Sequence, residues 1–534
     1  MRGSTRTSRI AAYVTSATLA LSGTVLAATP AEAVTYDPQP ANQAASWLED
    51  QLTNGVVHNN QYDFDDLGLT ADFALGLAGV PGQDELVTDV VETIEPRAES
   101  EWYTSTFEGE VTTYAGSLAK ALVLAQEVGS NPTSFGGENL VTKLQNRTAG
   151  SAPIAGRIQN LNDDFGDANV IGQAYAVNGL TAAGSSEAKA ATNFLLKQQC
   201  SNGGFRLNFT TSKTTSAQSC TNNSSAETDV TAIAILQLAS QAGTSTVDAA
   251  VTRATAWLKS QQRCDGSFGG GTSTEGSNAN STGLVAWALG ASPTARQAAG
   301  WLRKHQATAA DSGNSLASET GAIAYDDLGL ANGRADGITV GKEDEWRRAT
   351  AQAAPGIRWV STDATPVLSA TGPGDYRKAG DAYPVSTTGA AKGTVLCLTG
   401  PGASRRVVAS GAPWNTTVKL PAGTADRTYT VVDPFGNTDT VVAKVLGRKT
   451  LEVSTNKSLA RRSRLVTVTI EGLAPREAAR IFYKGKQRSS GAASSAGTFS
   501  ATFYVGTTLG TQQIAGYGKF GSIRQGATTI RVIR

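Results

Sequence analysis

The feature that most constrains the fold is a two-segment unit that recurs along the first two thirds of the chain. Each copy has an amphipathic segment, a loop and a second segment that is apolar on nearly every face. Clear copies occupy residues 44–80, 191–239, 254–290 and 298–331, and weaker copies end at 109–129 and 167–184. A helix that is apolar all round is buried. Six amphipathic helices around six buried ones therefore predict an all-α (α/α)6 toroid barrel over residues 34–360.

The turns inside two of these copies resemble those of a known family. LKQQCSNGGF and LKSQQRCDGSFGGG resemble the Gln-x-x-x-Gly-x-Phe/Trp turn repeats of terpenoid cyclase and protein prenyltransferase toroids. The resemblance covers roughly residues 40 to 355. It implies the same α/α toroid architecture, and it says little about chemistry because a fold does not fix a function.

The C-terminal third has a different pattern, with short alternating runs such as GTVLCLTG and RLVTVTIEGLAP between turn residues. Strands of this kind at close intervals predict β-sandwiches. We expect two immunoglobulin-like domains, at 361–447 and 448–534. The string EGLAPREAARIFYKGK in the second resembles strands of bacterial immunoglobulin-like modules on exported proteins.

Charge is distributed unevenly along the chain, although its net value is only +1. Residues 448–534 contain 15 Lys and Arg against three acids, a net charge of +12. The first 33 residues carry +2, which leaves −13 for residues 34–447. A basic terminal domain on an acidic body predicts adhesion to anionic cell-wall polymers through residues 448–534. The alternative is that the charge serves solubility, and no nucleic-acid partner is expected.

The N-terminal residues predict export. Three arginines, an apolar run and Ala31-Glu32-Ala33 are typical of a secretory signal peptide over residues 1–33. No later run approaches a membrane span, so we expect a secreted, extracellular or cell-wall-associated protein without a transmembrane anchor. In that setting Cys200 and Cys220, which flank a polar loop, predict a disulfide.

Residues that could bind a metal ion or a cofactor are scarce in the sequence. Cys264 and Cys397 fall in different predicted domains, and whether they are free stays open. The two histidines, His58 and His305, are isolated in the sequence. Since zinc sites usually draw on Cys and His, no metal and no cofactor are expected.

Acidic residues at the starts of the buried helices are the candidates for chemistry. Alignment of the helices on their Leu-x-Leu-Ala ends matches Asp66 with Glu227, Asn278 and Glu319, and Asp229 with Asn280. Asp and Asn at helix starts cap free N–H groups, which is the structural alternative to a ring of site residues.

Two strings resemble the acid motif of the cyclases, in which the third Asp donates a proton and Thr-Ala follows. Asp63-Phe64-Asp65-Asp66 is out of register with its Thr-Ala. The better match is Glu227-Thr228-Asp229-Val230-Thr231-Ala232, where Asp229 takes the donor's place and Val230 replaces the last Asp. Asp229 is therefore the candidate catalytic residue, because desolvation can raise the pKa of a carboxyl enough for acid work.

The sequence favours non-catalytic binding of a small apolar or glycan ligand at the end of the barrel where the buried helices begin. The expected ligand-binding residues combine helix-start polar groups and aromatics of the buried helices: Asp66, Tyr114, Tyr175, Glu227, Asp229, Asn280, Trp287 and Glu319. Tyr325 is a further candidate for the lining of such a pocket. The alternative is an extracellular enzyme, cyclase-like or glycan-active, that uses Asp229 and neighbouring acids.

Overall fold

A computed structural model describes residues 34–162, 168–363 and 367–534. The predicted signal peptide, residues 1–33, lies outside these ranges. The chain divides into two compact units. One contains the described residues up to 363 together with 393–395 and 433–436, and the other contains the rest from residue 367.

The first unit is helical. Its helices are α1 (Gln39–Asp50), α2 (Leu67–Leu77), α3 (Asp84–Ile94), α4 (Ala115–Glu127), α5 (Leu140–Asn146), α6 (Val170–Ala182), α7 (Ala188–Lys197), α8 (Thr228–Leu238), α9 (Ser245–Gln261), α10 (Ala279–Leu289), α11 (Pro293–His305), α12 (Asp327–Asp336) and α13 (Glu343–Ile357). Short strands in the connections are β1 (Leu52–Thr53), β2 (Val56–Asn59), β3 (Phe64–Asp65), β4 (Thr104–Phe107), β5 (Glu110–Thr113), β6 (Phe205–Arg206) and β7 (Ala226–Glu227).

Six buried helices contact one another in cyclic order: α2, α4, α6, α8, α10, α13 and again α2. Each also contacts the amphipathic helix α3, α5, α7, α9, α11 or α1 respectively, and α6 and α13 additionally contact α5 and α11. Small residues stand where the buried helices cross. A Cβ on Gly76 would lie 2.2 Å from the carbonyl oxygen of Ala351, and one on Gly283 would lie 2.4 Å from Ala353 Cα. Glycine therefore permits the closest helix approaches.

The glutamines of the turn repeats fasten each turn to the next amphipathic helix. Gln199 Nε2 donates to the carbonyls of Gly203 (2.9 Å) and Ala250 in α9 (2.8 Å). Gln262 Nε2 does the same with Gly266 (3.0 Å) and Thr294 (2.9 Å). The Gln-x-x-x-Gly spacing is what brings the amide to the glycine carbonyl of its own turn.

The last such turn fastens to the first helix. Gln306 Nε2 donates to the carbonyls of Gly321 (3.1 Å) and Pro40 in α1 (2.8 Å). Nearby, the backbone N–H of Asp37 donates to the carbonyl of Val360 at 2.9 Å. Residues far apart in the sequence thus join the beginning and end of the cyclic order.

One buried helix was placed wrongly by the sequence. The Leu-x-Leu-Ala alignment put the sixth at residues 318–331, but α12 buries only Leu330 and Gly333, and Leu328 is 67% exposed. The sixth buried helix is α13. Its two arginines and Pro355 disguised a helix whose alanines pack against α2 and α10.

The second unit contains two β-sandwiches with separate hydrophobic cores. Strands of the first are β8 (Ser369–Thr371), β9 (Ala382–Thr388), β10 (Val395–Gly400), β11 (Ala403–Val408), β12 (Trp414–Lys419), β13 (Arg427–Val432) and β14 (Thr438–Ala443). Their sheet orders are β11-β10-β13-β14 and β12-β9-β8.

Strands of the last sandwich are β15 (Lys449–Thr450), β16 (Glu452–Thr455), β17 (Leu459–Arg461), β18 (Leu465–Glu471), β19 (Ala478–Tyr483), β20 (Lys486–Ala492), β21 (Phe499–Tyr504), β22 (Gly510–Tyr517) and β23 (Arg524–Ile533). One sheet has the order β15-β23-β22-β19-β20, with β17 also paired to β23, and the other has the order β16-β18-β21. The alternating burial along these strands is the pattern on which the prediction of sandwiches rested.

The four cysteines are all oxidised. Cys200 and Cys220 form the expected disulfide, with Cα atoms 4.9 Å apart. The sequence left open whether Cys264 and Cys397 are free thiols, and each of them is disulfide-bonded as well. No other cysteine lies near either of them in the sequence, so their spacing did not predict that they form disulfides.

Candidate functional site

A central cavity in the helical unit is lined by all six buried helices. It contains about 530 Å³ of empty space, part of it open to solvent. Each helix contributes one residue at an equivalent position: Asp72, Lys120, Tyr175, Ile233, Leu284 and Gln352.

A repeated hydrogen bond sets the register of this ring of six residues. Thr70, Thr231, Thr282 and Thr350 each accept, through Oγ1, the backbone N–H of a residue in the preceding turn or strand, at 2.8 to 3.0 Å. Gln173 Oε1 accepts in the same way at 2.9 Å in α6. In these five helices, the residue two positions later points into the cavity.

The polar side of the cavity is built around an ion pair. Lys120 Nζ lies 2.6 Å from Asp72 Oδ1 and 5.7 Å from the centre of the Tyr175 ring. Burial has the largest single effect and lowers the pKa of Lys120, but Asp72 and Tyr175 together outweigh it, so the pKa is raised and the ammonium stays charged. Burial raises the pKa of Tyr175 to about 12, which keeps its phenol protonated.

The opposite side of the cavity is apolar. Ile233 and Leu284 lie in the ring of six, and Trp287 lies one turn deeper on α10. Their exposed fractions are 7 to 8%, so each keeps only a small surface toward the cavity. One cavity thus offers an ion pair and a phenol on one side and hydrocarbon and indole on the other.

A second group of polar residues lies at the starts of α8 and α10. Gly270 and Gly271 pack directly on two carboxyls there. A Cβ on Gly270 would be 2.6 Å from Asp229 Oδ2, and one on Gly271 would be 2.3 Å from the carboxyl carbon of Glu227. Only glycine lets the chain cross this close, so the loop 269–271 covers both acids.

Burial dominates the electrostatics of these two acids. It raises the pKa of Asp229, while the nearby Ser281 hydroxyl acts in the opposite direction. Burial and the negative charge of Asp229 both raise the pKa of Glu227. Among the described residues, Asp229 Oδ1 and Asn280 Oδ1 are buried without a hydrogen-bond partner. An uncompensated carboxyl of this kind favours its protonated form.

The predicted site residues do not form one ring. Tyr175 and Trp287 line the central cavity, whereas Glu227, Asp229 and Asn280 lie at the starts of α8 and α10. Asp66 caps α2, accepting from the N–H of Leu69 at 2.8 Å, and pairs with Arg348 at 3.2 Å. Its capping role is the one that the structural alternative predicted.

Two predicted positions and one further candidate differ from expectation. Tyr114 precedes α4 rather than lying on it, and its hydroxyl is 2.9 Å from Ser105 Oγ. Glu319 precedes α12 and accepts from Trp47 Nε1 at 2.8 Å, so it fastens α1. Tyr325 also precedes α12. The sequence had placed Tyr114 and Tyr325 on buried helices and Glu319 at the start of one, whereas each of them precedes its helix.

The structure adds Asp72, Lys120 and Gln352 to the candidate site. A signal for the first two was present in the sequence, because each is a lone charged residue in an otherwise apolar helix segment. Gln352 was missed together with its helix, α13.

Metal-binding clusters and membrane-spanning helices are both absent from the described ranges. Within them, no group of three or more His, Cys, Asp and Glu side chains is arranged to hold a metal ion. No helix in the same ranges combines the length and the apolar character needed to cross a bilayer.

No protein-family model matches the chain, and no curated protein matches it. Solved structures match at low likeness. The type II terpene cyclase MstE from Scytonema has 15% identity and a TM-score of 0.42, over 60% of this chain and 97% of that one. The fibronectin(III)-like modules of Clostridium thermocellum CbhA have 12% identity and a TM-score of 0.20, over 31% of this chain and 93% of that one.

A further match is SGBP-B of the Bacteroides ovatus mixed-linkage glucan utilization locus, in complex with a mixed-linkage heptasaccharide. It has 16% identity and a TM-score of 0.14, over 30% of this chain and 43% of that one. All three matches have TM-scores below 0.5, so they carry no argument about function.

Proposed function

We propose that the helical unit is an (α/α)6 toroid whose central cavity binds one small amphipathic molecule. The observation that supports this most directly is the ring of six residues, one from each buried helix, around a single cavity. A cavity with a few convergent polar groups in apolar walls is the usual form of a small-molecule site.

The two sides of the cavity define the ligand class. Asp72 and Lys120 neutralise each other, so the cavity has no net charge to attract a strongly ionic ligand. Ile233, Leu284 and Trp287 favour a hydrocarbon or planar body, and Tyr175 and Gln352 are hydrogen-bonding groups for one polar substituent. These walls favour an apolar body with a single polar group over a glycan, which would present hydroxyls on all sides.

The neutral fluorescent probe N-phenyl-1-naphthylamine tests this proposal. We expect saturable binding to the mature protein at one site per chain, with a rise in probe fluorescence and quenching of tryptophan emission from Trp287. Leu284→Trp should reduce affinity about tenfold or more, because the larger ring occupies the cavity.

The matched control is Leu328→Trp, which adds the same ring at an exposed position of α12. It should bind the probe like the wild type. Equal probe affinity in Leu284→Trp and Leu328→Trp, with both variants folded by circular dichroism, would contradict binding in the cavity.

A second candidate function is acid catalysis by Asp229. Burial raises the pKa of its carboxyl, one oxygen of which has no partner among the described residues, and this supports the role because a carboxyl that holds its proton more tightly is suited to act as a general acid. The loop 269–271 covers it, so a substrate would have to displace that loop. Asp229→Asn should abolish any detected turnover while probe binding in the cavity persists. Turnover that survives the substitution would refute this role.

For the C-terminal region we propose that the exported protein is retained on anionic cell-wall polymers by residues 448–534. The net charge of +12 supports this. Removal of these residues should release the protein into the medium, and salt should weaken retention because it screens exposed charges. A truncated protein that remains on cells at the wild-type level would refute the proposal.

A further inference from the structure

The two sheets of the last sandwich differ in the charge of their outward faces. In the sheet β15-β23-β22-β19-β20 with β17, the outward side chains include the exposed Arg461, Arg480 and Arg531. Arg480 and Arg531 are each flanked by buried neighbours, and Arg461 follows the buried Ala460. Among the described residues none of these three guanidinium groups has an ion-pair partner. We call this surface the basic face.

All three acids of the domain are elsewhere. Glu452 and Glu471 are cross-strand neighbours on the other sheet, β16-β18-β21, and both are exposed. Glu477 is buried against Arg524, with Oε1 2.7 Å from Nε. Within this domain the basic face therefore carries no carboxylate.

The basic face also carries aromatic and amide groups. Phe482 and Tyr517 are half-buried and meet edge to face, with ring centres 5.2 Å apart. Tyr517 is the cross-strand neighbour of Arg480 on one side and of Gln525 on the other. The first sandwich approaches near this end, where Lys519 Nζ lies 2.6 Å from Asp375. Asp375 is already shared between Lys519 and Arg377, so it leaves Arg480 unpaired.

The positive charges are far apart. Arg480 lies in the row of Gln525, and Arg531 lies six residues further along β23. At about 3.3 Å per residue this places the two rows roughly 20 Å apart along the strand. Arg461, opposite Ile533, extends the face in the same direction. A small anion cannot reach both ends, whereas an extended polymer can.

We propose that the basic face binds a chain of an acidic polysaccharide along β23. This inference rests on the proposed retention by residues 448–534 and assigns it to one surface. The end arginines pair with carboxylates, the exposed edges of Phe482 and Tyr517 pack against sugar rings, and Gln513 and Gln525 hydrogen-bond to hydroxyls. The two rows of Arg480 and Arg531, roughly 20 Å apart with the neutral Gln513 between them, fit a polymer with sparse charge better than a nucleic acid, whose phosphates are about 1.7 Å apart along the axis.

Binding of the full mature protein to polygalacturonate at low salt tests the assignment, with neutral dextran as the uncharged comparison. The variant Arg461→Gln/Arg480→Gln/Arg531→Gln should bind polygalacturonate about tenfold more weakly. The matched control, Lys457→Gln/Arg476→Gln/Lys484→Gln, removes the same charge from exposed loops and should bind like the wild type. Melting temperatures of both variants verify that they fold.

Two further variants separate the basic face from net charge. Glu452→Gln/Glu471→Gln raises the net charge by two on the opposite sheet and should leave affinity unchanged. Tyr517→Ala should weaken binding to polygalacturonate but not to inorganic polyphosphate, which has no sugar rings.

The outcomes distinguish the inference from the proposal beneath it. If removal of residues 448–534 leaves binding intact, the proposed retention itself fails. If that deletion abolishes binding but the basic-face and loop variants lose affinity equally, retention stands and the basic face is overturned. Equal binding of a 20-base-pair DNA, insensitive to Tyr517→Ala, would overturn the polysaccharide as partner.

Discussion

Asp72 and Asp229 are two carboxylates on buried helices of the same unit, and their surroundings are opposite. Asp72 faces the cavity and is paired with Lys120 at 2.6 Å. Asp229 lies at the start of its helix beneath a glycine loop, with one oxygen that has no partner among the described residues. The first carboxyl is paired with a cation, and burial drives the second toward its neutral form.

The difference shows how one fold provides two kinds of carboxyl. A neighbouring cation makes Asp72 a fixed part of a polar wall, suited to orienting a ligand. Asp229 has no such cation beside it, so it either donates a proton to a substrate or remains covered by the loop 269–271. The cavity and the covered acid are therefore separate hypotheses, and substitutions at each should behave differently.

The largest effect is expected for Lys120→Met, which leaves Asp72 without its cation. The free energy of unfolding should fall by about 3 kcal/mol. This is the lower end of the range for buried pairs, because the two side chains retain 26% and 20% exposure. Urea denaturation at neutral pH measures it.

A second substitution completes this experiment. In Asp72→Leu/Lys120→Met no charge is left in the cavity, so most of the lost stability should return. If the double variant is as unstable as the sum of its two single variants, Asp72 and Lys120 do not act as a pair.

The second largest effect is expected for Gly270→Ala, which tests whether the loop 269–271 covers Asp229. In Gly270→Ala the new Cβ would meet Asp229 Oδ2 at 2.6 Å and Thr274 Oγ1 at 2.2 Å, so stability should fall by about 2 kcal/mol. The control is Gly276→Ala, also in the connection between α9 and α10, where no atom lies within 4 Å of the new Cβ. Similar melting temperatures for the two variants would show that the loop does not pack on the acid.

Asp229→Asn should instead raise the stability of the protein, by an amount that depends on pH. The ordinary carboxyl pKa is 3.8, and burial raises that of Asp229 in the folded state. The folded protein thus holds the proton more tightly, and wild-type stability falls as pH rises from about 3.8 through the folded pKa. Asparagine does not titrate, so its advantage should grow over this range to about 1 kcal/mol at neutral pH.

Thermal melts of wild type and Asp229→Asn at pH 4 and pH 7 measure this difference. A constant difference at both pH values would mean that Asp229 is not desolvated in the folded protein.

The smallest effect is expected for Asp66→Asn, which keeps the capping acceptor but removes the charge that pairs with Arg348. Because that ion pair is partly exposed, stability should change by at most about 0.5 kcal/mol. Asp66→Ala, which also removes the cap, should cost about 1 kcal/mol. Equal losses for the two variants would assign the role of Asp66 to the ion pair instead.

The sequence predicted the helical pairs because burial on every face of a helix leaves a periodic signature. The turn glutamines were likewise recognisable in the sequence, since Gln199 and Gln262 occur at a fixed spacing from glycine. The prediction from the sequence failed at α13, because Arg347 and Arg348 are typical of a helix that faces solvent. The equivalent threonine, Thr350, marks this helix only once the hydrogen bonds of Thr70 and Thr282 are seen.

The candidate site was less predictable than the fold for a physical reason. Helix-start polar residues such as Asp66 and Asp229 look alike in sequence, yet Asp66 accepts a backbone N–H, whereas one buried oxygen of Asp229 has no partner among the described residues. That distinction depends on which loop crosses the helix end. Lys120 and Asp72 come from different helices, and only packing makes them a pair.

The most direct test of the cavity as a ligand site is native mass spectrometry of the protein purified from its own culture. We predict one non-covalent adduct of a few hundred daltons per chain, present in the wild type and in Leu328→Trp and absent from Leu284→Trp. An adduct retained equally by all three proteins, or none in any of them, would contradict binding in the central cavity.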